Sequence, residues 1–90
     1  MSIRDIPLLH NKHGVMIMHR NRLRDLREDN DRSQKEIAAL LKVHQTTYSD
    51  YELGKLNIPI AVLHTLADYY NTSIDYLLCR TNDKRTYPKP

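Results

Sequence analysis

Gln45, Thr46, Ser49 and Asp50 are the residues of this chain best placed to do chemistry, and the chemistry is recognition rather than bond making. At about 100° per residue on a helix, these four and Leu53 fall within one arc of roughly 140°. Gln45 can donate and accept at once, as adenine N6 and N7 require, and such a two-bond contact discriminates by about 1–3 kcal/mol. Thr46 can offer a methyl group to thymine. Asp50 repels phosphates, so it must either accept from cytosine N4 or stand clear of a polyanion. Periodicity by itself favours a plain solvated face, since most exposed helix faces are polar.

Chemistry of other kinds finds less support. There is no nucleophile beside a base, no Gly-rich phosphate loop and no carboxylate pair in a plausible cleft, so no enzyme is expected. His10-x-x-His13 with His19 supplies three imidazoles without a second cluster of carboxylates or thiolates, and is read as solvated. No metal or cofactor is expected. The lone Cys79 excludes an intramolecular disulfide and suits a reducing compartment, hence a cytoplasmic location. It is read as a small apolar residue rather than a redox switch. Tyr69, Tyr76 and Tyr87 are scattered, which favours packing or dimer contacts over base stacking. His64 faces away from its helix's apolar stripe.

The elements that must position the polar arc follow from caps and periodicity. A first helix is expected over about His19–Asp29, with Leu23 and Leu26 inward and the polar run 29–32 ending it. Ser33 as N-cap with Glu36 three residues on makes a capping box for a second helix, typically worth about 1 kcal/mol. Ile37, Ala38, Leu40 and Leu41 are its expected buried face. Residues 42–44 form a break in which Val43 plugs the core. The third helix spans about Gln45–Leu53, with Tyr48 and Tyr51 inward and Gly54 as a left-handed cap. Pro59 suits the first turn of a fourth helix striped by Val62, Leu63, Leu66, Ala67 and Tyr70, with Asn71 left-handed at its end. Ser73 caps a fifth helix over Ile74–Cys79. Five short helices with brief connections predict a compact all-α domain.

Ninety residues suffice for one such domain, whose marginal stability alone favours pairing with a second copy. The expected organisation is an N-terminal arm over 1–18, the domain over 19–79 and a flexible basic tail over 80–90. The arm's Val15-Met-Ile-Met18 fits a short strand or an apolar strap across the domain. Met16 or Met18 also fits as the start of the folded part. No apolar run approaches a membrane span, and the first residues make a poor signal peptide. The net charge of +3 is carried by the tail, where Arg80, Lys84, Arg85 and Lys89 face Asp83; the rest is neutral. A polyanionic partner must therefore be met by placed cations and amides, not by bulk charge.

In order and spacing, RLRDLRED, SQKEIAALLKV, TTYSDYELGK, NIPIAVLHTLADYY and TSIDYLL resemble the phage-repressor/Cro-like (XRE) helix-turn-helix family. The resemblance runs from Arg22 to Leu78 and takes in all five helices. It implies a lambda-repressor-like fold, with the helix-turn-helix in the second and third helices. It also implies a DNA-binding transcriptional regulator of bacteria or phages, nucleoid-associated and acting as a homodimeric repressor on a double-stranded operator. On this resemblance Gln45, Thr46, Ser49 and Asp50 meet base edges or nearby phosphates. Gln34, Lys55 and Asn57 meet the DNA backbone, with His44 and Thr47 as further backbone candidates. Arg27 and Glu52 form a structural salt bridge. Leu53 and Leu56 replace polar or basic groups common in relatives, which implies modest intrinsic affinity. The same fold also serves antitoxins that bind a toxin as well as their own operator, so a protein-interaction module is the alternative.

Overall fold

The structure is a computed structural model that describes residues 20–87. The expected arm over 1–18, the start of the first helix at His19 and the imidazoles of His10, His13 and His19 lie outside the described residues. Five helices follow one another: α1 (Leu23–Asp29), α2 (Gln34–Leu41), α3 (Gln45–Leu53), α4 (Ile60–Tyr69) and α5 (Ile74–Leu77). The described residues form no strand, so the fold is all-α. α2 packs on α3, α1 on α3, and α4 on α5.

The core is made by one apolar stripe per helix. Leu23 and Leu26 come from α1, Ile37 and Ala38 from α2, Tyr48 and Tyr51 from α3. Leu63, Leu66 and Ala67 from α4, Tyr70 just after it, and Leu77 from α5 complete the cluster. Fully burying a leucine such as Leu66 or Leu77 contributes about 1.5–3 kcal/mol. Val43 is half-buried against this cluster, as are Leu41 and Val62. Leu40 departs from expectation: it is 41% exposed, because the inward arc of this eight-residue helix is filled by Ile37, Ala38 and Leu41.

All five helices end in the same way. Asp31, Lys42, Gly54, Asn71 and Cys79 are left-handed, with φ between 54° and 73°. At each, the amide of that residue donates to the carbonyl three back, and the next amide donates to the carbonyl five back. The pairs Gly54–Tyr51 with Lys55–Asp50, and Cys79–Tyr76 with Arg80–Asp75, are examples. This double closure satisfies carbonyls that a helix end otherwise leaves open. It also explains why α5 stops at Leu77 instead of Cys79: Cys79 is the left-handed terminator, not part of the helix.

Helix beginnings are more varied. Ser33 Oγ accepts from the Glu36 amide, and the Glu36 carboxylate accepts from the Ser33 amide, completing the capping box. Ser73 Oγ accepts from the Tyr76 amide. Pro59 occupies the cap position immediately before α4, not its first turn. α1 begins at Leu23, four residues later than expected, because Asn21 Oδ1 accepts from the Leu23 amide and turns the chain there.

Residues 80–87, expected as a flexible tail, lie against the helical body. Arg22 donates to the carbonyls of Tyr76 and Thr81 and to Asn82 Oδ1, with its guanidinium 4.0 Å from the Tyr76 ring centroid. Thr72 Oγ1 donates to the Lys84 carbonyl, and Tyr87 Oη donates to Asp75 Oδ2 at 2.7 Å. No helix among the described residues is long and apolar enough to cross a membrane.

Candidate nucleic-acid interface

α3 is amphipathic in an unusual sense: its inward anchors are tyrosines and its outward face is polar. Tyr48 and Tyr51 are buried. Gln45 and Thr46 are exposed, while Thr47, Ser49 and Asp50 are half-buried. The side chains of Gln45, Thr46, Ser49 and Asp50 make no hydrogen bond within the described residues. Their donors and acceptors are therefore available to a partner.

What holds that face in position is a single carboxylate. Arg27 of α1 clamps Glu52 of α3 through two parallel bonds, Nε to Oε2 at 2.6 Å and Nη2 to Oε1 at 3.2 Å. Gln34, the first residue of α2, donates its amide to the same Oε1 at 3.0 Å. Arg27 Nη1 also donates to the Arg32 carbonyl in the α1–α2 connection. Three helices thus meet at Glu52. The side chains of Arg27 and Glu52 are only 12% and 4% exposed, so the pair is shielded from solvent.

Burial pushes the Glu52 carboxyl upward, but the bonds from Arg27 and Gln34 outweigh it, and the group rests below the ordinary carboxylate value. The bond to Glu52 in turn holds the Arg27 guanidinium above its ordinary value. Burial raises the Tyr48 phenol strongly, helped by the neighbouring Glu52 charge, and pushes Tyr70 up to about 12. Both hydroxyls are buried without a hydrogen-bond partner among the described residues.

The two helix starts that could meet phosphates are not equivalent. At α2, the Glu36 amide is taken by Ser33, and the Glu36 carboxylate sits at the same terminus. At α3, His44 has extended backbone but makes no side-chain cap bond. The first amides of α3 are therefore left open, at the positive end of the helix dipole. His44, Lys55 and Asn57 are exposed, and Gln34 is half-buried with part of its amide committed to Glu52. The structure brings His44, Thr47 and the polar arc together on α3, with Lys55 and Asn57 in the connection that follows it.

One brace was not legible in the sequence. Asn21 Nδ2 donates to the Tyr51 carbonyl at 2.9 Å, tying the entry of the chain to the end of α3. Its partner lies 30 positions away, and only the local preference of asparagine for turns hints at Asn21. Among the described residues no group of His, Cys, Asp and Glu side chains is arranged to hold a metal ion.

Comparison with known proteins agrees with this geometry. The helix-turn-helix family profile matches residues 23–77. The chain is 36% identical over 72 residues to the HTH-type transcriptional regulator AnsR of Bacillus subtilis (strain 168), covering 80% of this chain and 62% of that protein. It is 32% identical over 66 residues to the uncharacterized HTH-type transcriptional regulator YobD of the same organism, covering 73% of this chain and 59% of that protein. The alignments thus span about three fifths of the length of these relatives.

Proposed function

The chain belongs to the phage-repressor/Cro-like helix-turn-helix family, and from that premise we propose that it is a sequence-specific double-stranded DNA-binding transcriptional regulator. α3 enters the major groove, which admits one α-helix. Gln45, Thr46, Ser49 and Asp50 face base edges. The open amides of α3, with Gln34, His44, Thr47, Lys55 and Asn57, meet backbone phosphates and set the register. Two copies read half-sites about one helical turn, roughly 34–36 Å, apart. The complex represses by occupying its operator in the cytoplasm, at the nucleoid. The protein's role is binding, not catalysis.

The observation that carries this reading is the pairing of a polar α3 face free of internal bonds with a buried anchor at Glu52 that fixes the helix from behind. Recognition needs side chains available outside on a backbone held rigid inside. In vitro selection of bound duplexes at fixed salt tests it. The expected result is a two-fold related site with half-sites one turn apart. Retention of duplexes without sequence enrichment would overturn the reading.

A further inference from the structure

Tyr51 and Glu52, in the last turn of α3, are held from opposite ends of α1. Arg27, in the last turn of α1, grips the Glu52 carboxylate. Asn21, ahead of the first turn of α1, donates Nδ2 to the Tyr51 carbonyl at 2.9 Å. The two attachments differ in kind. The Glu52 anchor acts through a side chain with several rotatable bonds, whereas the Asn21 bond acts on the main chain of α3. One anchor leaves a helix free to pivot about it; a second, displaced along α1, fixes its tilt.

Asn21 is itself held. Its Oδ1 accepts from the Leu23 amide at 3.0 Å, so both ends of its short side chain are engaged. The next amide, that of Arg22, donates to the Leu77 carbonyl of α5 at 2.8 Å. On the other side, the Tyr51 carbonyl also accepts from Gly54, the left-handed residue that ends α3. The Asn21 bond therefore reaches the point from which the chain turns toward Lys55 and Asn57. Aspartate makes the same local turn but has no donor, and a serine hydroxyl is too short to serve both partners.

We propose that Asn21 is a positioning residue for DNA recognition: by holding the Tyr51 carbonyl it sets the tilt of α3, and with it the aim of Ser49, Asp50, Lys55 and Asn57. The proposal rests on the DNA reading above and deepens it. Asn21 acts through α3, not by touching DNA.

Asn21→Ser and Asn21→Asp test it on the full chain, with the duplex that in vitro selection enriches and an unrelated duplex. Both variants keep an acceptor for the local turn and lose the Nδ2 donor. Without urea, the ratio of specific to non-specific affinity is expected to fall about three- to tenfold in each, the net worth of one hydrogen bond. Amide exchange at Gly54 and Lys55 is expected to quicken by a similar factor relative to α2. Ala67→Gly lowers the stability of α4, which carries none of the proposed DNA contacts, and is expected to leave the ratio unchanged. An equal fall in Ala67→Gly overturns the positioning role, because lost stability alone then accounts for it. So does an unchanged ratio, or unchanged exchange, in both Asn21 variants. An unsubstituted chain that prefers no duplex removes the DNA reading and this proposal with it, and is recognised before any substitution is made. In the unsubstituted chain, NOEs from the Asn21 side-chain amide to the last turn of α3 report the same bond. Their absence overturns the proposal even where neither variant folds.

Discussion

Among single residues, the division between outward and inward groups on α3 separates specificity from stability. Gln45→Ala is expected to cost about 1–3 kcal/mol of discrimination at one base pair while leaving non-specific binding nearly intact. Competition with operators altered one base pair at a time measures it. Lys55→Ala is expected to weaken binding to all duplexes alike and to lower the slope of log K against log salt by about one unit. Glu52 behaves in the opposite way. Glu52→Ala strands the Arg27 charge in a shielded site, and urea unfolding is expected to show a loss of about 3–5 kcal/mol. The acid dependence has a definite sign. The Glu52 carboxyl lies below its ordinary value of 4.5 in the folded chain, so the unfolded chain binds more protons there. Its stabilisation is complete above about pH 4.5 and is lost as pH falls through the folded value. The exposed Asp83 carboxyl is likewise held down, to about 2, by its bonds with Arg85. Unfolding curves from pH 6 to 3 are expected to fall less steeply in Glu52→Gln than in the unsubstituted chain.

For the individual helices, terminators and caps decide what a sequence reveals. α3 was legible from end to end, because Gly54 is a left-handed residue by type and the tyrosines alternate inward at helical spacing. The capping box of α2 was legible because both partners lie within four residues. The start of α1 was not, because Asn21 is held by a carbonyl 30 positions away. The end of α5 was not, because a cysteine gives no sign that it will adopt positive φ. Leu40 was assigned inward by periodicity, although α2 is too short to bury every apolar residue on it. In the site, the polar arc was legible from helical periodicity and the ion pair from the family resemblance, whereas the contrast between an occupied α2 start and an open α3 start needed the structure. The terminators also permit a direct test. A side chain at positive φ costs on the order of 1 kcal/mol that glycine avoids. Lys42→Gly and Cys79→Gly are each expected to raise stability by about 0.5–1 kcal/mol in urea. Gly54→Ala is expected to lower it by about 1–2 kcal/mol.

Over the molecule as a whole, Arg22 joins the two ends of the described chain. It stacks on Tyr76 and donates to Tyr76, Thr81 and Asn82, so the entry to α1, α5 and residues 81–82 form one unit. Lysine has neither the planar fork nor the stacking face for this task. Arg22→Lys is expected to cost about 1–3 kcal/mol and to increase amide exchange from 76 to 84 more than in α2 or α3, as hydrogen exchange would show. Arg80, Lys84 and Arg85 therefore belong to a surface with defined attachments, not to a loose cloud of charge. The lack of internal bonds at Gln45, Thr46, Ser49 and Asp50 has a consequence for lineage. No hydrogen bond among the described residues depends on which letters stand there, so gene duplicates can diverge in their targets while their melting behaviour changes little. A regulator built on this plan can be rewired without first being rebuilt.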